Sequence, residues 1–312
     1  MHLAIVDLNL DPGDRIARNH AAIQHAANAL LEFSPPYVIK ASGLAAGKGV
    51  WIGSAVEEAL SISKEFLTGH ESLVIEEFLE GTEVSCFYLV DGNNFEFFGT
   101  AQDHKRLLDG DQGPNTGGMG AISPSPEEHI RFRSQIEDEI IKPTLLGLEK
   151  MNLSYCGFLF LGLMLVKGKS YVLEYNCRMG DPETQCLLQR LESDLWKSIS
   201  DLHKQIQTAI QFKKEQAVTV VVAAKGYPTD PVKGTSLGEW LQSNELQIFH
   251  SGTKKEGSSW LANGGRLFTV NTNGTIKAAR EKIYTWIFNW QKSLGPQQNQ
   301  IIYRTDVGEK YE

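Results

Sequence analysis

The chain has 312 residues, with 30 Lys and Arg against 38 Asp and Glu for a formal charge of −8, and is 41% hydrophobic and 22% charged. That composition excludes a disordered, collagen-like or disulfide-rich protein and leaves room for about two domains with real cores. An acidic total without a basic block argues against nucleic acid or an anionic membrane surface as the main partner.

Met1 to Leu10 carries Asp7 within its apolar stretch and has no basic flank, so it does not read as a signal peptide. The longest apolar run, 157–166, falls well short of the ~20 residues that a bilayer requires. Cys86, Cys156, Cys177 and Cys186 form no CxxC pair and read as core or site-wall residues. The chain is expected to be cytoplasmic.

Ala and Leu recur at helical spacing over 14–33, predicting an amphipathic helix that ends before Ser34-Pro35-Pro36. Tyr37-Val38-Ile39 predicts a strand, and the glycine-rich loop 43–49 follows it. Ser54-Ala55-Val56-Glu57 has the form of a capping box, opening a helix that runs to Leu67. Leu73 to Phe78 and Val84 to Val90 are expected strands, with Asp91-Gly92 as a hairpin turn. A glycine-dense segment, Asp103 to Gly120, precedes a helix expected over Glu127 to Met151. Strands 157–166 and 171–176 then flank a Lys167-Gly168-Lys169-Ser170 turn. Asp181-Pro182 predicts an N-cap and a first-turn proline for a helix through Leu202. The charged Lys213-Lys214-Glu215 marks the expected domain boundary, and Val218 to Ala224 and Arg266 to Val270 read as strands beyond it. Strands and helices without strict βα alternation predict an α+β architecture.

In loop 43–49, Gly43, Gly47 and Gly49 allow backbone N–H groups to approach a polyphosphate, while Lys48 and Lys40 supply charge. This is not a Walker A loop, because Gly49 stands where Ser or Thr would hold Mg²⁺. On its own the loop also fits a flexible surface hairpin. The strand Tyr171 to Asn176 is sharper. Alternation puts Val172, Glu174 and Asn176 on one face, with the Cα atoms of Glu174 and Asn176 about 6.6–7 Å apart. Two oxygen-bearing side chains at that spacing can converge on one Mg²⁺ or on two such ions side by side. An exposed polar strand face is the plainer reading, but Arg178, Asp181 and Glu183 crowd the same place.

Gln102-Asp103-His104-Lys105-Arg106 would usually be a solvated turn, and His104 has no Ser or Cys to activate. The next segment is harder to explain blandly. Five glycines among 110–120 cost conformational entropy unless the backbone bends sharply or touches a ligand, and Asn115 and Thr116 add donors for phosphate or ribose oxygens. Glu76-Glu77 ends one strand and Glu83 opens the next. Backbone groups at 77–79 could pair with an adenine edge, and Glu83 could accept from ribose hydroxyls, although Glu at strand ends is commonplace.

Together these segments resemble the ATP-grasp ligases, and more narrowly the phosphoribosylamine–glycine ligase family of purine biosynthesis. The resemblance rests on Val38 to Val50, on Ala101 to Arg106, on Gly113 to Ala121 (GPNTGGMGA) and on Leu173 to Gln185 (LEYNCRMGDPETQ). Ala224 to Pro228, Phe249 to Thr253, Asn263 to Arg266 and Tyr303 to Gly308 extend it. It implies an ATP-grasp domain over 37–215, a smaller strand-rich C-terminal domain over 216–312, and a remnant of the approach to the ATP-grasp domain over 1–36. It further implies ATP as co-substrate, Mg²⁺ or Mn²⁺, and glycine and 5-phosphoribosylamine as substrates. Lys40, Gly47, Lys48, Glu76, Glu77, Phe78, Leu79, Glu83 and Asn115 would contact ATP, and Glu174 and Asn176 the metal. Asp103, Gly117, Gly118, Met119, Arg178, Asp181 and Glu183 fall where substrate is expected, with Arg178, Asp181 and Lys105 as catalytic candidates.

Family members also begin with a domain bearing a GGREH-like glycine turn, and no such segment precedes residue 37. The resemblance therefore leaves three expectations open. One is an active ligase, alone or within a larger multifunctional purine-pathway polypeptide. Another is a catalytically impaired MgATP-binding remnant. The third is an ATP-grasp carboxylate–amine ligase with another acceptor.

Overall fold

A computed structural model describes residues 3–7, 15–43, 49–69, 72–128, 130–206, 209–238 and 243–312. The chain divides into two compact units, Met1–Gly81 and Thr82–Glu312.

The first unit is an antiparallel sheet with two helices. Its elements are β1 (Leu3–Asp7), α1 (Arg15–Leu30), β2 (Tyr37–Ala41), β3 (Val50–Gly53), α2 (Val56–Gly69) and β4 (Ser72–Glu77), with strand order β1-β4-β2-β3. Strand alternation sends Tyr37, Ile39, Leu73 and Ile75 into one core with Ala26, Leu30, Ala59 and Leu67 of the helices. Lys40 and Glu76 lie on the opposite face, because Glu76 is opposed to Val38, two residues before Lys40. Strand β1, which periodicity did not predict, lines the outer edge of β4.

The second unit begins with β5 (Thr82–Asp91), β6 (Asn94–Asp103), β7 (Arg106–Leu108), β8 (Gln112–Asn115) and β9 (Gly120–Ser123). Helix α3 (Ile130–Ile136) continues through a π turn at Glu137–Ile141 into α4 (Lys142–Lys150). The hairpin β10 (Cys156–Val166) and β11 (Lys169–Asn176) turns on Lys167 and Gly168, both at positive φ. Next come α5 (Glu183–Arg190), α6 (Leu195–His203), β12 (Gln216–Ala224), β13 (Ser236–Gly238), β14 (Gln247–His250), β15 (Thr253–Glu256), β16 (Ser259–Ala262), β17 (Arg266–Gly274), α7 (Ile276–Ser293) and β18 (Ile301–Ile302).

One antiparallel sheet runs β11-β10-β5-β6-β9-β12-β17-β14, with β18 beside β12, and so passes unbroken across residue 215. Its two faces are both covered. Val84, Cys86, Tyr88, Leu159, Leu161 and Leu163 meet Phe132, Ile136, Ile141 and Leu145 of the long helix. On the other face Phe87, Phe98, Ala101 and Phe160 meet Leu187 of α5. Farther along, Val218, Val220, Val222, Phe268 and Val270 pack on Ile283, Ile287 and Trp290 of α7. Strand β12 is buried on both faces, which is why it reads as a nearly continuous apolar run.

Three local expectations need correcting. The helix predicted through Leu202 breaks at Leu191, which turns extended and bridges to Phe212; Asp194 then caps α6 by accepting from the Lys197 N–H at 2.9 Å. Pro182 is the N-cap residue of α5 rather than its first helical residue, and the Asp181 carboxylate accepts from the Gln185 side chain instead of capping the helix. Strand β11 bulges at Leu173, since Leu163 opposes Val172 while Gly162 opposes Glu174. Val172 consequently joins the apolar core under α3 and α4, and only Glu174 and Asn176 share the other face. Of the cysteines, Cys86 and Cys186 are buried as core residues, whereas Cys156 and Cys177 are exposed thiols.

Candidate functional site

Register alone assembles a polar face at one end of the long sheet. Ser85 on β5 opposes Gly162 on β10 and Ala101 on β6, and Gly162 opposes Glu174 on β11. Directly opposed residues share a face, as do residues two apart on one strand. Glu83, Ser85, Asp103, Glu174 and Asn176 therefore project the same way, beyond the apolar layer of Phe87 and Phe160.

Within that face the charges interlock. Lys105 Nζ donates to Glu83 Oε1, and the Ser85 hydroxyl donates to Glu183 Oε1 at 3.2 Å. Burial alone would lower the Lys105 ammonium, but Glu83, Asp103 and Glu174 outweigh it and hold the group firmly protonated. Burial raises Asp103, and the nearby Glu183 carboxylate raises it further; Lys105 opposes both effects. Glu183 is likewise raised, chiefly by burial. Asp103 Oδ1 is buried without a hydrogen-bond partner among the described residues. It sits against Gly118, where φ is +106° and an added β-carbon would lie 2.8 Å from that oxygen, so both backbone and space require glycine.

Asn176 Nδ2 donates to Glu174 Oε1 at 3.1 Å, and both side chains reach solvent. Among the described residues no group of three or more His, Cys, Asp and Glu is placed to hold a metal ion. One carboxylate and one amide oxygen fit a hard divalent cation that draws its other oxygens from phosphate and water.

In the first unit Lys40 Nζ pairs with Glu76 at 2.6 Å, with Glu76 largely buried. Glu77 and Phe78 are exposed, and Leu79 is half-buried. Gly47 and Lys48 lie outside the described residues.

Two family models match the chain in sequence: the phosphoribosylglycinamide synthetase ATP-grasp (A) domain over residues 15–184 and the phosphoribosylglycinamide synthetase C domain over 217–310. The chain belongs to the phosphoribosylglycinamide synthetase family. A phosphoribosylamine–glycine ligase of Chlorobaculum tepidum is 40% identical over 286 residues, covering 87% of this chain and 66% of that one. The trifunctional purine biosynthetic protein adenosine-3 of Gallus gallus is 41% identical over 286 residues, 88% of this chain but 28% of its own length. The chain thus spans just under two thirds of the Chlorobaculum ligase and little more than a quarter of the chicken protein. The crystal structure of the Thermotoga maritima phosphoribosylamine–glycine ligase superposes with a TM-score of 0.80 at 35% identity, over 98% of this chain and 74% of that one. A biotin carboxylase domain from Hydrogenobacter thermophilus shares the fold alone, at 13% identity and a TM-score of 0.66 over 93% of this chain and 67% of that one.

In this member of the phosphoribosylglycinamide synthetase family, the structure brings Glu83, Lys105, Asp103, Gly118 and Glu183 together, and Gly117 with Asp181. Arg178 is not drawn in: its Nη1 donates to the Met179 carbonyl, and the residue is exposed. Asn115 is exposed on β8. The Met119 side chain is fully buried, and its backbone N–H and C=O are taken by His104 and Val221.

His104 also turns away from the site. Its Nε2 accepts from the Gly308 N–H at 3.2 Å, and burial, aided by Arg304, pushes the imidazole down to about 4, so it is neutral at physiological pH. Arg304 is fully buried. It pairs with Asp306 and Asp111 and donates to the Arg106 carbonyl, while Asp306 accepts from the Gly110 N–H and Asp109 from the Thr305 N–H. These bonds tie the β7–β8 arm to the segment after β18.

Arg266 and Tyr227 are further residues at the site for which periodicity and spacing gave no role. Both stand in segments that carry the resemblance, Asn263 to Arg266 and Ala224 to Pro228, which was the available signal. No helix among the described residues is long and apolar enough to cross a membrane.

Proposed function

We propose that this chain is an ATP-dependent ligase that joins glycine to 5-phosphoribosylamine, giving glycinamide ribonucleotide, ADP and phosphate. The observation that carries the reading is the shared face of Glu83, Asp103, Glu174 and Asn176, with Lys105 paired to Glu83, on a chain that belongs to the phosphoribosylglycinamide synthetase family.

In this reading Lys40 and Lys48 meet the nucleotide phosphates, and the segment Glu76, Glu77, Phe78 and Leu79 cradles adenine, with the backbone at 77–79 pairing with its edge. Loop 43–49, which includes Gly47, would serve as a lid over the phosphates that excludes water. Lys105 donates to Oε1 of Glu83, and the Glu83 carboxylate accepts from the ribose hydroxyls. Asn115 adds an ATP contact. Glu174 and Asn176 would hold Mg²⁺ or Mn²⁺, which when bound neutralises charge on the polyphosphate.

A glycine carboxylate oxygen bonds to the γ-phosphorus while the β–γ bridging oxygen leaves with ADP. The phosphoribosylamine nitrogen then bonds to the glycyl carbon, phosphate departs with the C–O electron pair, and Asp181 takes the displaced amine proton. Lys105 and Arg178 oppose the negative charge that builds on transferred oxygens, and Asp103, Gly117, Gly118, Met119 and Glu183 shape the substrate side. Domain limits of 37–215 and 216–312, after an approach segment over 1–36, belong to the same proposal. So does a cytoplasmic location. Occurrence within a multifunctional purine polypeptide is the arrangement that the chicken relative's name describes.

Calorimetric titration with MgATP tests the first half, and binding is expected. ADP release that requires both glycine and phosphoribosylamine tests the second. MgATP binding by the folded chain without such release would mean a nucleotide-binding protein that does not turn over.

A further inference from the structure

Two loops of the candidate site, 113–118 and 178–182, are fastened by a residue far along the chain. Arg266, the first residue of β17, donates from Nη1 to the Gly117 carbonyl at 2.6 Å and to the Asp181 carbonyl at 2.5 Å. Its Nη2 pairs with Asp181 Oδ2 at 2.9 Å. Gly117 is gripped a second time, since its N–H donates to Tyr227 Oη at 2.9 Å. The guanidinium lies close against the glycine: a β-carbon on Gly117 would stand 3.1 Å from Arg266 Cζ. The next residue, Gly118, abuts both the Asp103 carboxylate and the Pro182 ring. The placement of Gly117 therefore sets how far the glycine loop stands from Asp103 on one side and Asp181 on the other. A planar fork of fixed donors can hold two carbonyls and a carboxylate at once, which a lysine ammonium on a flexible stem does poorly.

We infer that Arg266 is a positioning residue for the amine-substrate side of the site, holding the Gly117–Gly118 loop and Asp181 at a fixed separation with Tyr227 as the second fastening. The inference rests on the ligase reading of the site. Arg266 directs both terminal nitrogens at the protein, and so acts through the loops it holds.

Arg266→Ala, Arg266→Lys and Tyr227→Phe in the full chain test this with three readouts. In Arg266→Ala, kcat/KM for phosphoribosylamine should fall about 10- to 100-fold, because small misplacements of reacting groups cost that much. MgATP affinity by titration should stay at the wild-type value. Amide hydrogen exchange over 113–118 should quicken in Arg266→Ala, and less so in Tyr227→Phe. Added methylguanidinium should restore part of the Arg266→Ala activity and leave the wild type unaffected, and Arg266→Lys should retain an intermediate rate. Wild-type kcat/KM and wild-type exchange in Arg266→Ala would overturn the inference, and so would a parallel loss of MgATP affinity without rescue. If Arg266→Ala does not fold, exchange and kcat/KM in Arg266→Lys and Tyr227→Phe decide in its place. If the folded wild type releases no ADP with both substrates, the ligase reading fails, and exchange at 113–118 still decides whether the clamp exists.

Discussion

Gly162 on β10 lies directly opposite Glu174 on β11, and a β-carbon at 162 would come within 2.9 Å of Glu174 Cγ. The absent side chain leaves room for the Glu174 stem over β10, while its carboxylate accepts from Asn176 on the same strand. Gly162→Ala leaves the backbone unstrained but displaces Glu174. On the proposed metal role of Glu174, metal-dependent turnover should drop about 10-fold or more, with the thermal midpoint nearly unchanged. A wild-type metal titration curve for that variant would remove Glu174 from the metal assignment.

Arg304 is fully buried and holds Asp306 and Asp111 from the C-terminal side of the β7–β8 arm. Removing Arg304 leaves the partly buried Asp306 carboxylate without its partner while Asp111 stays in solvent, so Arg304→Leu should cost about 1–3 kcal/mol in urea unfolding. Adding Asp306→Asn to that variant should recover part of the loss. An Arg304→Leu chain as stable as the wild type would show that the arm is held by other means.

The histidine between Asp103 and Lys105 predicts a pH dependence of stability. His104 is held to about 4 in the fold against 6.5 for a free imidazole. Between those values the unfolded chain binds a proton that the folded chain refuses, so stability falls as pH drops from 6.5 to about 4, by up to about 3 kcal/mol. Below that window Asp306 continues the trend. Its carboxyl, raised by burial but lowered more strongly by Arg304, loses its stabilising charge only in stronger acid. His104→Gln should flatten the slope between pH 4 and 6.5 in equilibrium unfolding. An unaltered slope would assign the acid sensitivity elsewhere.

Asp194 accepts from the Lys197 N–H at the start of α6. Asp194→Ala should cost about 1 kcal/mol, the usual worth of an N-cap, measured by urea unfolding. No loss would mean that tertiary packing alone starts this helix.

Much of the site was legible because local patterns encode it. The hairpin turn at Lys167-Gly168, the Glu174–Asn176 face and the need for glycine somewhere within 110–120 all follow from period, turn chemistry or composition, while the particular demand at Gly118 comes from its neighbours Asp103 and Pro182. What escaped was non-local. The bulge at Leu173 is set by packing of Val172 under α3 and α4, and no alternation rule foresees it. The break at Leu191 was hidden by an apolar pattern that continues through it, although Ser193-Asp194 carries a capping signal. Arg266 with Gly117 and Arg304 with Asp111 join residues 149 and 193 positions apart, a pairing that only the sheet order reveals.

The central claim is that this chain makes an amide bond between glycine and phosphoribosylamine at the expense of ATP. The most direct test supplies labelled glycine, phosphoribosylamine and MgATP to the purified chain and to its Glu174→Ala variant, and measures labelled glycinamide ribonucleotide alongside ADP. Product and ADP in equal amounts from the wild type, and neither from the variant, is the predicted result. A folded, MgATP-binding wild type that yields no labelled amide, or a variant that yields as much, would contradict it.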